Sequence, residues 1–307
     1  MKKGIEQQVV KPQYDQSRSF VLFGFYILHF TFFIFLLSSC YEPREGCLDI
    51  SATNFQVDAD DPCPDCCTYP QIRMDFLHRV VQQDTFFNLT YLDAVYIDSD
   101  GNPYTIGDIQ FFISNFRIVD QAGQEYRTED FLEISIPVPD DEPKLDTISN
   151  SFALIDAGNF RTAMLGTFSR AGTYHKVRFT LGVENPANQA DPGELPEDHP
   201  LTTPEMYWSL DSGYVFNRIE LYTDTTAADT IPTIVEIGGL GNSREVELDF
   251  DQTFQLDNGF NLSLTLQVDY AVWFRDINVV EDDATEMAGK IVNQVAESFS
   301  LIAVEPE

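Results

Sequence analysis

The chain has 307 residues and a formal net charge of −32, with 50 acidic and 18 basic side chains. Such an acidic balance argues against nucleic acid and anionic membrane surfaces as partners, because both are bound by clusters of Lys and Arg. Aromatic residues make up 13% of the chain, which excludes a disordered protein and favours packed β-strands. The length suits one large all-β domain or two small ones.

The first 39 residues have the parts of a secretory signal peptide. Basic residues precede an apolar run over residues 20–37, which ends in Leu-Ser-Ser-Cys at Cys40. This ending resembles the bacterial lipobox, in which the cysteine is acylated and becomes the new N-terminus. Because the run is almost long enough to span a bilayer, an uncleaved membrane anchor is the alternative. We predict a lipoprotein signal over residues 1–39, with Cys40 acylated.

A lipid on Cys40 implies a location outside the cytoplasm. We expect an outer-membrane lipoprotein in the cell envelope of a Gram-negative bacterium, held to the membrane by the lipid, with its domain facing the periplasm or the cell surface. This compartment is oxidising, so cysteines of the mature chain are expected to form disulfides.

Residues 40–70 are rich in cysteine and aspartate and are called here the Cys/Asp segment. The segment resembles short Asp-rich, Cys-bounded modules of secreted bacterial proteins. Its four remaining cysteines allow three pairings, and the sequence does not choose among them. Because a bond between the neighbours Cys66 and Cys67 is strained, we expect two disulfides that link Cys47 and Cys63 to that pair.

Three interpretations of the Cys/Asp segment compete. The first is a linker that is stapled by disulfides and has no core of its own. The second is a calcium site, since clustered carboxylates and carbonyls are the ligands that Ca²⁺ prefers; its candidate ligands are Asp49, Asn54, Asp58 and Asp60. The third is a zinc or copper thiolate site, which the oxidising compartment disfavours.

The first strand of the body is predicted over residues 71–80, where apolar and polar side chains alternate. His78 falls on the apolar face of this strand, as a satisfied core residue or as a ligand. A second strand is predicted over residues 86–97, and the Asp-Gly pair after it predicts a hairpin. Residues 109–119 are mostly apolar on both faces, which predicts a central strand.

A long loop separates the next strands. Shorter strands are predicted within residues 127–138, 151–155 and 174–183, with His175 exposed at the start of the last. Residues 184–205 then carry five prolines and many acids, as in functional or mobile loops, and His199 is expected to be solvated there. Trp208 follows this loop, and a large aromatic residue at such a junction packs in the core or lines a site.

The sequence after Trp208 predicts four more strands and one helix. The strands fall within residues 214–222, 233–237, 246–250 and 260–270. In residues 281–299 apolar side chains recur every four residues after an acidic start, which predicts an amphipathic helix. Many short strands with one late helix indicate a mainly β fold over residues 71–307, an antiparallel β-sandwich with a C-terminal amphipathic helix.

Four blocks carry a family resemblance from residue 71 to the C-terminus. They are Arg-Met-Asp-Phe-Leu-His at 73–78; Gln-Phe-Phe-Ile-Ser-Asn-Phe-Arg-Ile at 110–118; Ala-Gly-Thr-Tyr at 171–174 with Met-Tyr-Trp at 206–208; and Ile-Gly-Gly at 237–239 with Val-Ala-Glu-Ser-Phe-Ser at 295–300. In order and spacing they resemble the MbnP-like family of secreted copper-binding proteins, first named for their link to methanobactin operons.

The resemblance implies a β-sandwich that binds Cu(I) through histidine. It also implies a tryptophan that a partner di-haem, peroxidase-like protein oxidises to kynurenine. Carried onto this sequence, His78 matches a family histidine on the first strand, and Trp208 matches the first tryptophan of a Met-x-Trp-x-Trp-like block. Met206 adds a thioether, a soft ligand that suits Cu(I).

Two positions depart from the family pattern. Leu210 stands where relatives often have a second tryptophan, and Glu236 stands where they often have histidine before Ile-Gly-Gly. A carboxylate is a hard ligand and a poor replacement for imidazole on Cu(I). The predicted copper set is His78 and Trp208 from the resemblance, Met206 for its thioether, and Glu236 at the position where relatives often have histidine.

Two functions follow, and a third class has little support. The first is a non-enzymatic lipoprotein that binds or handles Cu(I). The second is an MbnP-like surface binding or structural module that has lost the copper site, with calcium in the Cys/Asp segment. An enzyme is disfavoured, because the sequence has no serine elbow, no His-Glu-x-x-His run and no phosphate loop.

Overall fold

The computed structural model describes residues 42–82, 85–138, 141–159, 162–225 and 231–307. The predicted signal and Cys40 lie outside these ranges. The chain divides into a short unit, Met1–Glu45, of which residues 42–45 are described, and a body, Gly46–Glu307. Within the described ranges, none of the helices has the length and apolar character needed to cross a membrane.

The described chain is built mainly from β-strands. The first nine are β1 (Glu45–Gly46), β2 (Asp61–Pro62), β3 (Gln71–Gln82), β4 (Thr85–Asn88), β5 (Tyr96–Ile97), β6 (Pro103–Asp120), β7 (Glu125–Arg127), β8 (Phe131–Ile136) and β9 (Lys144–Ser149). The other nine are β10 (Ala153–Asp156), β11 (Ala163–Thr167), β12 (Gly172–Leu181), β13 (Tyr207–Ser209), β14 (Gly213–Tyr222), β15 (Thr233–Gly238), β16 (Arg244–Leu256), β17 (Leu262–Asp269) and β18 (Phe299–Pro306).

Helical structure is short and lies mostly near the C-terminus. The described ranges contain two α-helices, α1 (Tyr270–Trp273) and α2 (Ala284–Gln294). The 3₁₀ turns are Ala187–Gln189, Pro192–Glu194, Pro200–Thr202, Pro204–Met206 and Val295–Ser298. Asp283 and Glu286 form a capping box at the start of α2, which fixes where that helix begins.

Two sheets form the sandwich. The larger has the order β13-β14-β6-β12-β16, with β5, β7 and β10 also paired to β6 and with β15 paired to β14. The smaller has the order β11-β3-β17-β18, with β4 paired to β3. The central strand predicted over residues 109–119 is confirmed, since β6 lies between β14 and β12 and is antiparallel to both.

One pair of strands differs from the predicted antiparallel arrangement. Strands β3 and β17 run parallel, with Leu262 opposite Ile72 and Asp269 opposite Arg79. Parallel neighbours need a long connection, and here the whole larger sheet lies between these two strands in sequence. The other strand pairs of the two sheets are antiparallel.

The main core lies between the two sheets. The alternation of β3 buries Ile72, Met74 and Phe76. The ring of Phe76 meets that of Phe111 on β6 edge to face, with centroids 6.2 Å apart. Fully buried Trp273, on α1, closes this core against the same Phe111, at 5.7 Å.

A second core covers the outer surface of the larger sheet. Phe112 and Tyr214 pack edge to face there, with centroids 6.2 Å apart, beneath the β8–β9 hairpin and the long proline-rich loop. His199 in that loop is buried, and its Nε2 lies 3.1 Å from Oδ1 of Asn150. The prediction that His199 is solvated is therefore wrong, because the loop packs on the sheet.

Two element predictions need correction. Residues 86–97 form the two short strands β4 and β5 rather than one, because the chain turns at Leu92, which has a φ of 59°. The helix predicted over residues 281–299 ends earlier, and Phe299 already belongs to β18, where it pairs with Val268. The hairpin predicted from Asp-Gly is confirmed by the pairing of Tyr96 with Tyr104.

Candidate binding site beside Trp208

Trp208 lies on the short strand β13, directly after the Pro204–Met206 turn that ends the long loop. This strand pairs with β14, with Tyr207 opposite Tyr214. The Trp208 side chain is 41% exposed, whereas Trp273 is fully buried. Of the two tryptophans, only Trp208 is therefore accessible to a ligand.

The indole of Trp208 is held by a carboxylate. Its Nε1 donates a hydrogen bond of 2.7 Å to Oε2 of Glu236 on β15. Glu236 is exposed, while its strand neighbours Val235 and Ile237 are buried, so the alternation of β15 turns Glu236 away from the core. The family comparison of the sequence had placed both residues in one site, and the structure brings them together.

The glycine after Ile237 lets the indole approach the strand. A Cβ atom at Gly238 would lie 2.8 Å from Cζ3 of Trp208 and 2.4 Å from the carbonyl oxygen of Tyr214. Glycine inside a strand often marks such a close approach. The Ile-Gly-Gly block that helped to define the resemblance therefore has a local physical reason in this chain.

A groove of about 470 Å³ lies between Trp208 and helix α2 and is called here the Trp208 groove. Its strand side is lined by Trp208, Ile234, Glu236, Ile237, Gly238 and Asn242. Its helix side is lined by Ala284, Thr285, Ala288, Gly289 and Val292. Sequence reasoning missed the helix side, although small residues at helical spacing beside the apolar positions Met287 and Ile291 were a signal for it.

Leu210, the other position that departs from the family pattern, lies beyond β13. Its side chain is 49% exposed, at the turn that leads into β14. Of the two positions that depart from the family pattern, only Glu236 therefore contacts the indole of Trp208 through a hydrogen bond.

His78 lies in the main core rather than in the Trp208 groove. Its Nδ1 is 2.7 Å from the hydroxyl oxygen of Tyr270, and its ring stacks with Tyr270 at 5.8 Å and with Phe76 at 6.0 Å. Burial lowers the pKa of His78 from 6.5 to about 4. The imidazole is therefore neutral at pH 7 and packed between aromatic rings.

Met206 lies in the second core. It is fully buried beside side chains such as Leu201 and Tyr214, and it does not line the Trp208 groove. The four residues of the predicted copper set therefore occupy three places, and only Trp208 and Glu236 meet.

This arrangement does not fit a Cu(I) site built from that set. Cu(I) prefers thioether, thiolate and imidazole ligands, and the group beside the indole is a carboxylate. Over the ranges that the structure describes, no three His, Cys, Asp or Glu side chains are grouped so that they could hold a metal ion.

In the Cys/Asp segment, disulfides join Cys47 to Cys67 and Cys63 to Cys66. Each of Cys47 and Cys63 thus bonds one member of the adjacent pair, as predicted. Asn54 bridges the same loop, because its side chain donates to the carbonyl oxygen of Cys66 at 2.7 Å and accepts from the Thr68 amide at 2.9 Å.

Two of the proposed calcium ligands, Asp49 and Asn54, hold the Cys/Asp segment through hydrogen bonds of their own. Oδ1 of Asp49 accepts hydrogen bonds from Ser51, and Oδ2 accepts one from Tyr69; these bonds hold the pKa of Asp49 below its usual range. Asp58 and Asp60 are exposed on the neighbouring turns. Calcium in this segment stays a prediction.

The two packed sheets place the chain in the class of mainly β, sandwich-like proteins. The sequence profile of the MbnP family matches residues 69–292, so this chain belongs to the MbnP family. A solved structure, MbnP from Methylosinus trichosporium, is 13% identical over 77% of this chain and 98% of its own, with a TM-score of 0.41. A comparison with curated proteins finds no match.

Proposed function

We propose that this chain is a non-enzymatic, lipid-anchored protein of the bacterial cell envelope that binds a ligand in the Trp208 groove. We propose further that it does not hold Cu(I) with the set predicted from the family. Ligand binding in the groove and the loss of the copper set are both supported by the 2.7 Å hydrogen bond from Trp208 Nε1 to Glu236, because it holds the exposed indole at an open groove beside a carboxylate.

The groove has the usual features of a binding site. It is concave, its walls are largely apolar, and a few polar groups, Glu236, Asn242 and Thr285, lie along it. An exposed indole supplies a large contact area at low cost in side-chain entropy. The indole is also fixed in place by its bond to Glu236, which reduces the ordering cost of binding.

The lipid-anchored location is supported by the sequence and by the Cys/Asp segment. The leader ends in Leu-Ser-Ser-Cys at Cys40, and two disulfides follow within residues 47–67. Disulfides form in oxidising compartments. We expect Cys40→Ser to release the protein from the membrane fraction and to abolish incorporation of labelled palmitate; retention of the label would contradict the anchor.

A copper titration tests the proposed loss of the family site. The mature protein, purified without chelator, is titrated with Cu(I) against a competing chromophoric chelator, alongside Glu236→Ala and His78→Gln. We expect no stoichiometric Cu(I) binding in any of the three. Stoichiometric binding that either variant abolishes would overturn the proposal and restore copper handling as the function.

A further inference from the structure

We propose that the Trp208 groove receives a basic side chain, lysine or arginine, from a partner protein. This inference rests on the proposed function, because it names the ligand class of the same groove. It follows from the charge of Glu236, the exposed indole and the small residues of α2, taken together.

Glu236 supplies a negative charge that the described protein does not neutralise. It is the one ionisable residue among those that line the groove in the described part of the chain. Arg218 stands opposite Glu236 in the strand register, but its guanidinium bonds Glu220 at 2.7 Å and approaches Asp108 at 3.7 Å. Over the described ranges, the ion pairs include none with Glu236.

Trp208 supplies an aromatic surface next to that charge. A cation over the face of tryptophan is attracted by the ring quadrupole, and tryptophan is the best of the aromatic residues for this contact. The hydrogen bond from Nε1 to Glu236 keeps indole and carboxylate side by side, so one ammonium or guanidinium group can contact both. A carboxylate beside an exposed indole is thus suited to an organic cation.

The helix side of the groove leaves room for an aliphatic chain. Ala284 and Ala288 carry only methyl groups, and a Cβ atom added at Gly289 would meet nothing within 4 Å. Lysine and arginine bury their methylene chains along apolar surface while the charged end reaches a polar group. The methylene chain can therefore lie along the apolar helix side of the groove while the charged end reaches Glu236.

The charge of the whole chain supports a basic partner. A net charge of −32 attracts positively charged proteins and speeds their encounter. An inorganic metal ion is a poorer fit, since within the described ranges no group of three His, Cys, Asp or Glu side chains is arranged around one ion.

The two indole N–H signals of the ¹⁵N-labelled mature protein provide the test. Trp208 Nε1 reports on the groove, while Trp273 Nε1 donates to Ser298 Oγ in the core at 2.8 Å and serves as an internal reference. The probes are acetyl-Gly-Lys-Gly-amide and the neutral acetyl-Gly-Gln-Gly-amide. We expect the lysine peptide to shift the Trp208 signal in a saturable way and to leave the Trp273 signal in place.

Two charge variants separate the groove from general attraction. Glu236→Gln keeps an oxygen that accepts from the indole but removes the charge, so we expect affinity for the lysine peptide to fall about fivefold. Glu133→Gln makes the same charge change on the exposed face of β8 and is expected to change nothing. Equal affinity in Glu236→Gln and the unaltered protein would overturn the inference.

The remaining outcomes distinguish this inference from the proposed function. If the glutamine peptide shifts Trp208 as strongly as the lysine peptide, the groove still binds ligands and only the basic side chain is wrong. If both peptides leave Trp208 unshifted, the inference is overturned, while the proposed loss of the copper site is still judged by the Cu(I) titration alone.

Discussion

The Trp208 groove and the pocket around His78 show two opposite ways to hold an aromatic ring. His78 stacks with Phe76 and Tyr270 inside the main core and is 3% exposed. Trp208 lies over a glycine at a sheet edge, bonds a carboxylate and is 41% exposed. The family resemblance joined these rings in one copper set, but the first is packed among core aromatic rings and the second lies at the open groove where we propose that a ligand binds.

The largest expected effect comes from truncating the two tryptophans in turn. Trp273→Ala removes a fully buried ring and its bond to Ser298, so we expect the free energy of unfolding to fall by about 3–5 kcal/mol. Trp208→Ala should cost about 1 kcal/mol or less, because that ring is partly exposed. Urea unfolding measures both; similar losses would mean that Trp208 is core packing.

The next effect is the pH dependence that His78 confers on stability. Its pKa is lowered from 6.5 to about 4 in the folded protein, so the unfolded chain binds a proton first as the pH falls. The contribution of His78 to stability is therefore present above pH 6.5, and about 3 kcal/mol of it is lost between pH 6.5 and 4. His78→Gln can still bond Tyr270 but does not titrate.

Comparison with that variant isolates the His78 contribution from the many carboxylates, which titrate in both proteins. Unfolding by urea at several pH values should show a steeper loss for the unaltered protein between pH 6.5 and 4. If the free energies of unfolding of the two proteins fall in parallel with pH, the pKa of His78 is not lowered by burial, and the imidazole is open to solvent as a metal ligand at the surface would be.

A smaller loss of stability is expected from Gly238→Ala, at the strand side of the Trp208 groove. The added methyl would lie within 3 Å of the indole and of the Tyr214 carbonyl oxygen, so the indole must move or the strand must shift. We expect a loss of about 1–3 kcal/mol and a displaced Trp208 N–H signal, read by urea unfolding and NMR. Gly239→Ala is unsuitable as a control because Gly239 has a φ of 81°; Ala288→Ser, across the groove, is expected to leave the Trp208 signal in place.

The smallest expected effect is the oxidation of the Trp208 ring, which changes the mass of the protein by only a few daltons. If a di-haem, peroxidase-like partner acts on this chain, the exposed Trp208 is expected to be converted to kynurenine and the buried Trp273 to stay intact. Kynurenine differs from tryptophan by one oxygen gained and one carbon lost. Peptide mass mapping of protein from the native host decides this, and unmodified Trp208 would count against the partner.

Sequence patterns predicted the fold wherever a strand carries its own signal. The alternation in β3 and the apolar run in β6 were sufficient, because burial on one face or both follows from the residues themselves. The break at Leu92 and the parallel pairing of β3 with β17 were not predicted. The parallel pairing joins residues far apart in sequence, which local periodicity does not record, and the positive φ of Leu92 falls on a residue type that rarely adopts it.

The candidate site was predicted in part. Trp208 and Glu236 meet because β13 and β15 both pair with β14, a topology that the family resemblance carried implicitly. His78 and Met206 lie in apolar stretches of sequence, which suits ligands and core residues equally, and only their packing in the structure separates these roles. The helix side of the groove went unseen because α2 comes to lie beside β15 through tertiary packing alone.

Strand β15 also suggests how this fold can change its preferences. Val235 and Ile237 anchor it in the interior, while the intervening position 236 projects into solvent at the groove rim. Because position 236 points outward, we expect a substitution there to change what the groove attracts while Val235 and Ile237 keep their buried contacts. If the groove binds as proposed, its preference for charge can therefore be changed at one surface position without loss of the packing that holds the strand.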